Sequence, residues 1–218
     1  MFSLHALLDA LPLLIKAAQA TVLISLVGLV VGFVVAIGVC SARLSRNRVV
    51  SKLGGAYVGF FRGVPLLVQL LLTYYFLPFI GINVPPLVAA AAAVSLCEAA
   101  YLAEILRGGF IGIAHGQLEA AQLLGLSRMQ AVLRIQVPQA LRTTLPSLVN
   151  EMVMLVKASS LISVVGVADV TRTAQNIAAS TYRPLEAYVA AGLVYLVING
   201  ALSLAGHRAE RRQAQAAA

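Results

Sequence analysis

The sequence predicts an all-α membrane protein with about five transmembrane helices, an external N-terminus and a cytoplasmic C-terminus. Its 218 residues are 60% hydrophobic and only 11% charged, whereas soluble domains are about 25% charged. The mean hydropathy is +0.90. Long uncharged runs, several of them longer than the ~20 residues that a helix needs to cross a bilayer, alternate with short basic segments. The main solvent of this chain is therefore expected to be lipid.

Five apolar runs are predicted to span the membrane. The first, residues 17–42, contains no charged residue. The uncharged stretch 63–97 is long enough for two spans, and Gly81, Pro85 and Pro86 divide it because they disfavour continued helical hydrogen bonding. The four later spans are predicted at Leu66 to Ile80, Leu87 to Leu106, Pro146 to Gly166 and Ala187 to Gly206.

The basic residues predict the orientation of these spans. Loops rich in Lys and Arg face the cytoplasm. The excess follows the first, third and fifth spans, at Arg43, Arg46, Arg48, Lys52 and Arg62, at Arg107, Arg128, Arg134 and Arg142, and at Arg208, Arg211 and Arg212. Arg172 and Arg183, in the predicted external segment 169–183, are the exceptions. Because the basic residues are dispersed, the net charge of +8 indicates contact with anionic membrane lipid, and nucleic acid is not an expected partner.

The residue chemistry predicts neither a catalytic nor a metal site. Cys40 and Cys97 fall within apolar runs and have no neighbouring Cys or His at metal-ligand spacing, so we interpret them as small buried apolar residues. The sequence contains no Gly-x-x-x-x-Gly-Lys-Ser/Thr motif, the phosphate loop with which many ATPases hold ATP. The chain is therefore not expected to be an ATP-hydrolysing enzyme.

One long segment, residues 107–143, connects the third and fourth predicted spans. Its apolar residues recur at the spacing of one helical face, at Leu118, Ala121, Leu124 and Met129, which favours a short amphipathic helix at the membrane surface. Glu119 argues against contact with lipid alone, because anionic headgroups repel a carboxylate. Gly125 permits a turn that residues with a Cβ resist. A short helix with small residues and one acid suits docking to another protein.

The same segment resembles the EAA loop of bacterial ABC importer permeases. That pattern is Glu-Ala-Ala, three residues, Gly, nine residues, Ile, one residue and Leu-Pro, and it is matched by Glu119, Ala120, Ala121, Gly125, Ile135 and Pro138. Val137 departs from it at the Leu position. Other stretches resemble the polar amino acid uptake branch of these permeases: residues 61–69, 100–105, 159–161 and 166–169. The resemblance covers residues 21–212.

This resemblance implies the type I ABC importer permease fold, with residues 1–218 as one transmembrane domain and a coupling loop at about 107–143. It also implies a multi-pass protein of the bacterial inner membrane that imports polar amino acids. The implied partners are two ATP-binding subunits, a second permease that is identical or homologous, and a periplasmic or extracellular substrate-binding protein. ATP and Mg would be bound by the partner ATPase, and no cofactor is expected in this chain.

Polar residues inside the predicted spans are candidates for substrate contact, because a charge at mid-bilayer costs roughly 2.5 to 3.5 kcal/mol and usually faces a cavity or a partner. The candidates are Glu98, Tyr101, Asn150, Glu151, Lys157 and Gln69. Lys157 could meet a substrate carboxylate, and Glu98 or Glu151 an ammonium or a basic side chain. A permanent ion pair between Glu151 and Lys157 is the alternative. Gln69 is of a type that more often packs helices.

Glu98, near mid-depth, suggests a cationic substrate such as arginine, lysine or histidine. Glu104, near the cytoplasmic end, is expected to have a structural or gating role. Two other classes remain open. An ion-coupled secondary amino acid transporter also uses intramembrane carboxylates, but such proteins are commonly built from internal repeats, which this sequence does not show. A membrane scaffold would leave the intramembrane charges unexplained.

Overall fold

The computed structural model describes residues 2–215, and within them it contains helices and connecting turns but no strand. The helices are α1 (Leu4–Arg43), α2 (Arg48–Gly63), α3 (Leu66–Phe79), α4 (Pro86–Ile111), α5 (His115–Leu123), α6 (Arg128–Ala131), α7 (Val137–Ala158), α8 (Val170–Thr181) and α9 (Pro184–Gln215). A π-helical turn, Val132–Gln136, joins α6 to α7, and a 3₁₀ segment, Ser159–Val165, follows α7. Residue 1 and residues 216–218 of the predicted single domain lie outside the described part.

The prediction of about five membrane spans is confirmed. Within residues 2–215, four continuous helices are long and apolar enough to cross a membrane: α1, α4, the helix from Arg128 to Val165, and α9. Helices α2 and α3 meet at an angle of 104° and together form the fifth candidate span. The orientation of the termini stays a prediction.

The fourth predicted span, Pro146 to Gly166, lies almost entirely within a helix that starts well before Pro146. The continuous helix begins at Arg128 and contains Pro138 and Pro146. The π-helical turn ends at Gln136, two residues before Pro138, and the backbone N–H of Val137 donates to the carbonyl of Val132, five residues back. Proline lacks an N–H and crowds the preceding turn of a regular α-helix. The wider π-helical turn therefore allows the helix to continue past Pro138.

The second predicted span is also incomplete as Leu66 to Ile80. Helix α3 has 14 residues, about 21 Å at 1.5 Å per residue, whereas the hydrocarbon core is about 30 Å thick. The bend before α3 follows from Pro65, because a residue that precedes proline favours extended backbone, and Val64 has a ψ of 133°. Gln69 stabilises the bend: its Nε2 donates to the carbonyls of Phe61 at 2.8 Å and Val64 at 2.7 Å.

Helix α1 packs closely against α4. Small residues recur on α1 at four-residue spacing and are buried there: Gly28, Gly32, Ala36 and Cys40. A Cβ at Gly32 would lie 3.1 Å from the Cβ of Glu98, so the absence of a side chain at Gly32 sets the distance between the helices. Small residues at such spacing allow close packing of membrane helices. Cys40 and Cys97 are 3% and 7% exposed and are free thiols, which confirms their interpretation as buried residues.

The segment 169–183, expected to be a connection, contains helix α8. Asp169 begins it by accepting a hydrogen bond from the backbone N–H of Arg172 at 2.7 Å. The same buried carboxylate accepts a hydrogen bond from the hydroxyl of Tyr195 on α9 at 3.3 Å. The backbone N–H of Val170 donates to Thr21 Oγ1 on α1 at 3.3 Å. These contacts attach α8 to both α1 and α9.

Candidate functional site

A cavity of about 370 Å³ lies between the α2–α3 bend, α4 and α7. Its charged and polar aromatic lining residues are Arg62 from the end of α2, Glu98 and Tyr101 from α4, and Glu151 from α7. Apolar residues of α4 and α7 form much of the remaining wall. Three helices that are distant in sequence thus bring one cation and two carboxylates to the same space.

Glu98 is the most deeply buried charged residue of this cavity. It is 4% exposed, and its Oε1 has no hydrogen-bond partner among the described residues. Gly32 of α1 lies directly behind it, so α1 closes that side of the carboxylate. Burying a polar group without a hydrogen bond costs about 1 to 3 kcal/mol. A ligand that donates a hydrogen bond to Glu98 would recover part of that cost.

Arg62 is held over the ring of Tyr101. The guanidinium carbon lies 5.2 Å from the ring centroid, within the range of a cation–π interaction. Arg62 counted in the sequence as evidence for orientation and as part of the resembling stretch 61–69, but it was not predicted as a site residue. The signal was its place three residues before Pro65, since the bend at that proline positions the end of α2 beside α4.

The structure brings together only part of the predicted substrate site. Glu98, Tyr101 and Glu151 line the cavity, whereas Asn150 and Lys157 are exposed and do not. One residue along a helix rotates the side chain by about 100°, and the cavity face of α7 passes through residues 151, 154, 155 and 158. The alternative of a Glu151–Lys157 ion pair is not observed in the described part of the chain. Gln69 lies under the bend with its amide donors bound to backbone carbonyls.

Glu104, on the same helix as Glu98, is fully paired. Its Oε1 accepts a hydrogen bond from Arg43 Nε of α1 at 3.1 Å, and its Oε2 lies 2.6 Å from Arg107 Nη2. The three side chains are 15% to 28% exposed. This cluster clamps α1 to α4 near the end of both helices, in agreement with the structural role expected for Glu104.

The segment that resembles the EAA loop forms a short helical hairpin. Glu119 and Ala120 are exposed on α5, while Ala121 is 1% exposed. Gly125 has a φ of +74° and ends α5, with its N–H donating to Gln122 O and the N–H of Leu126 donating to Ala121 O, both at 3.0 Å. This pair of bonds is the Schellman arrangement, which favours glycine at the left-handed position.

Helix α6 begins directly after this turn. The hydroxyl of Ser127 accepts from the backbone N–H of Gln130, whose side chain accepts from the N–H of Ser127. Pro138 is exposed and Ile135 is half-buried; Ile135 lies in the π-helical turn and Pro138 just after it, inside a helix that has already begun. Both residues thus belong to the continuous helix that runs from Arg128 to Val165.

Three large apolar side chains of the hairpin itself are not covered by the described chain. Leu123 is 88% exposed, Leu124 is 81% exposed and Met129 is 67% exposed. Contiguous exposed apolar groups with polar neighbours are typical of a protein–protein interface. The hairpin thus offers an apolar surface with one exposed carboxylate, Glu119.

Comparison with known sequences identifies the family to which the chain belongs. Residues 28–215 match the family model of the binding-protein-dependent transport system inner membrane component. The nopaline transport system permease protein NocM of Agrobacterium fabrum is 37% identical over 210 residues, which cover 92% of this chain and 87% of NocM. The glutamine transport system permease protein GlnP of Escherichia coli is 37% identical, with 97% of each chain covered. The arginine transport system permease protein ArtQ of Bacillus subtilis is 34% identical, with 95% of each chain covered.

Solved structures show the same fold. A crystal structure of an amino acid ABC transporter with histidines superposes with a TM-score of 0.91 at 32% identity, covering 97% of this chain and 99% of that one. An inward-facing structure of the MetNI methionine ABC transporter gives a TM-score of 0.77 at 21% identity, covering 92% and 96%. The second likeness is one of fold alone.

Proposed function

The chain belongs to the family of binding-protein-dependent transport system inner membrane components, and we propose that its cavity carries positively charged amino acids across the membrane. It is a multi-pass inner-membrane permease subunit of an amino acid ABC transporter and not an enzyme, because its relatives are transport subunits whose ATPase is a separate chain. A partner ATPase and a second permease accompany it. The secondary-transporter and scaffold hypotheses have no support from these relatives.

The proposal for the substrate rests on the charged residues that line the cavity. A basic amino acid has one carboxylate and two cationic groups. Arg62 can bind the carboxylate through its planar donor fork, and it takes the role that the sequence gave to Lys157, which is exposed outside the cavity. Glu98 and Glu151 then face the ammonium and the basic side chain. One cation and two anions in the wall complement two cations and one anion in the substrate.

Two of the similar proteins agree with this charge class, and a third is named for a neutral amino acid. ArtQ of Bacillus subtilis is named for arginine, and histidines are present in the similar transporter structure. GlnP of Escherichia coli is named for glutamine, a neutral amino acid. Arginine and glutamine are therefore the two substrates to compare, because glutamine lacks only the second cation.

The test is uptake by the variant Glu98→Gln in proteoliposomes that contain the permease, its ATPase and its binding protein. A hydrogen bond to a charged group contributes about 1.5 to 3 kcal/mol, so the ratio of arginine uptake to glutamine uptake is expected to fall about tenfold or more. Glu210→Gln, which removes a carboxylate near the end of α9, serves as the control. An unchanged ratio in Glu98→Gln contradicts the substrate proposal.

We further propose that the α5–α6 hairpin is the surface on which the ATPase docks. Glu119, Ala120 and the exposed apolar residues around them would enter a cleft of that subunit, with Ala121 and Gly125 holding the shape of the hairpin. Ile135 and Pro138, in and after the π-helical turn, would transmit its movement to α7. The full assembly would contain two ATP-binding subunits that bind ATP and Mg, a second permease that is identical or homologous, and a substrate-binding protein on the opposite side.

The variant Glu119→Arg combined with Gly125→Pro tests this docking. Proline cannot adopt a φ of +74°, and the arginine reverses the exposed charge, so co-purification of the ATPase and uptake are both expected to be lost. Glu210→Arg, with the same change of charge, is expected to retain both. Intact ATPase association in the double variant contradicts the docking role.

The proposed orientation has its own test. The variants Arg48→Cys, at the start of α2, and Thr181→Cys, at the end of α8, are each labelled with a membrane-impermeant thiol reagent in whole cells, and the unaltered chain with its buried Cys40 and Cys97 gives the background. Labelling of the second position alone supports a cytoplasmic α5–α6 hairpin and an external N-terminus. Labelling of the first position from outside contradicts this map.

A further inference from the structure

A separate groove of about 720 Å³ lies between the ends of α1 and α4 and the π-helical turn. Its floor is apolar and buried, with Cys40 3% exposed, Leu106 4% exposed and Ala140 1% exposed. Its rim is apolar and open, since Ile37 is 51% exposed and Leu133 is 58% exposed. The groove is therefore an apolar cleft that is open at the surface of the helices.

The length of the groove corresponds to one leaflet of a membrane. Its lining along α1 runs from Phe33 to Leu44, about 16 Å at the 1.5 Å rise per residue of an α-helix. Half of the hydrocarbon core is about 15 Å thick. An acyl chain that lies along the groove would thus contact α1 over the depth of a single leaflet.

The chemistry of the groove changes at the end of α1. Arg46 lines it there, next to the turn between α1 and α2, and its guanidinium forms no ion pair within the described residues. Arg43, three residues earlier, is by contrast bound to Glu104. A free guanidinium at the end of an apolar groove complements a phosphate, which accepts two parallel hydrogen bonds from arginine. Basic pockets between helices at the cytoplasmic surface bind anionic headgroups.

We propose that one anionic phospholipid occupies this groove, with an acyl chain against α1, α4 and the π-helical turn and with its phosphate on Arg46. The inference rests on the membrane orientation proposed above, which places Arg46 at the inner leaflet. The lipid would contact the π-helical turn through which the α5–α6 hairpin continues into α7.

Native mass spectrometry of the purified complex, titrated with phosphatidylglycerol or phosphatidylethanolamine, tests the site. A basic residue near a membrane surface adds to the binding free energy of an anionic lipid. Arg46→Gln is therefore expected to weaken phosphatidylglycerol binding about fivefold. Arg48→Gln is the matched control, because Arg48 is also exposed but does not line the groove. Ser41→Phe retains every charge and fills the groove, and it is expected to reduce the binding as strongly as Arg46→Gln.

Four results would overturn the proposal: unchanged binding in Arg46→Gln, equal losses in Arg46→Gln and Arg48→Gln, equal binding of phosphatidylethanolamine by the unaltered complex, or a crosslink from Leu133 to a protein subunit that fills the groove. The binding measurement does not involve uptake. Failure here therefore leaves the proposed function standing, and failure of the Glu98→Gln uptake test leaves the lipid site standing.

Discussion

Helix α4 carries two acidic residues with opposite surroundings. Glu98 is 4% exposed and has an oxygen without a partner among the described residues. Glu104, less than two turns further on, has both oxygens bound by Arg43 and Arg107. Both are carboxylates on one membrane-spanning helix, so residue type alone does not separate them. What separates them is whether the fold itself supplies a cation.

This contrast gives a physical criterion for the two roles. A paired acid stabilises the contact between helices, and removal of one partner leaves the others uncompensated. An unpaired buried acid lowers stability unless a ligand binds it. Groups that weaken the fold in this way are expected at functional sites. By this criterion Glu104 belongs to the framework, and we propose that Glu98 belongs to the transport route.

The largest expected effect follows from breaking the paired site. Glu104→Ala leaves two arginines without their common partner, and the free energy of unfolding is expected to fall by about 3 kcal/mol. Denaturant unfolding in mixed micelles measures it. Glu119→Ala removes an exposed carboxylate of the hairpin and is expected to change stability by less than about 0.5 kcal/mol. Equal losses in the two variants would show that Glu104 is not a framework residue.

An intermediate effect on the free energy of unfolding is expected at Gly32, which lies behind the unpaired Glu98. Gly32→Ala places a Cβ 3.1 Å from Glu98 and from the carbonyl of Ser95, which forces α1 and α4 apart at a cost of about 2 kcal/mol. Gly38→Ala is the matched control on α1, since nothing lies within 4 Å of its added Cβ. Unfolding of both variants is compared, and equal stability would contradict the close packing behind Glu98.

The smallest effect concerns the cation of the cavity. Arg62→Lys retains the charge but loses the planar contact with Tyr101, and a cation–π interaction contributes about 0.5 to 1 kcal/mol at exposed sites. The KM for arginine uptake is therefore expected to rise about two- to fivefold, with little change in the maximal rate. Arg48→Lys, exposed on the same helix, is expected to leave KM unchanged. A KM that is unaffected by Arg62→Lys would remove Arg62 from the site.

The sequence predicted the fold where one feature dominates the local physics. Uncharged length predicted the spans, and Gly125 predicted the turn that ends α5. The sequence did not predict helix boundaries and bends that depend on tertiary packing. The helix continues through Pro146, where the predicted span began. The expected span Leu66 to Ile80 corresponds to α3 alone, and the bend at Pro65 joins it to a second short helix, α2.

The sequence predicted which types of residue line the site but not the direction in which the side chains point from their helices. Glu98, Tyr101 and Glu151 were named from their place in apolar runs, and they do line one cavity. Lys157 does not line this cavity, because packing of α7 against α4 turns residues 151, 154, 155 and 158 towards it. Arg62 was missed for the same reason, since its approach to Tyr101 depends on the angle between α2 and α3.

The most direct test of the account compares Glu98→Gln and Glu104→Gln in one experiment, with unfolding free energy and the ratio of arginine to glutamine uptake measured for each. Glu98→Gln is expected to lower the uptake ratio about tenfold at unchanged or higher stability. Glu104→Gln is expected to lower stability and to retain the ratio in the transporter that remains folded. If Glu104→Gln changed the ratio as much as Glu98→Gln, or if Glu98→Gln destabilised the protein equally, the division between framework and transport route would be contradicted.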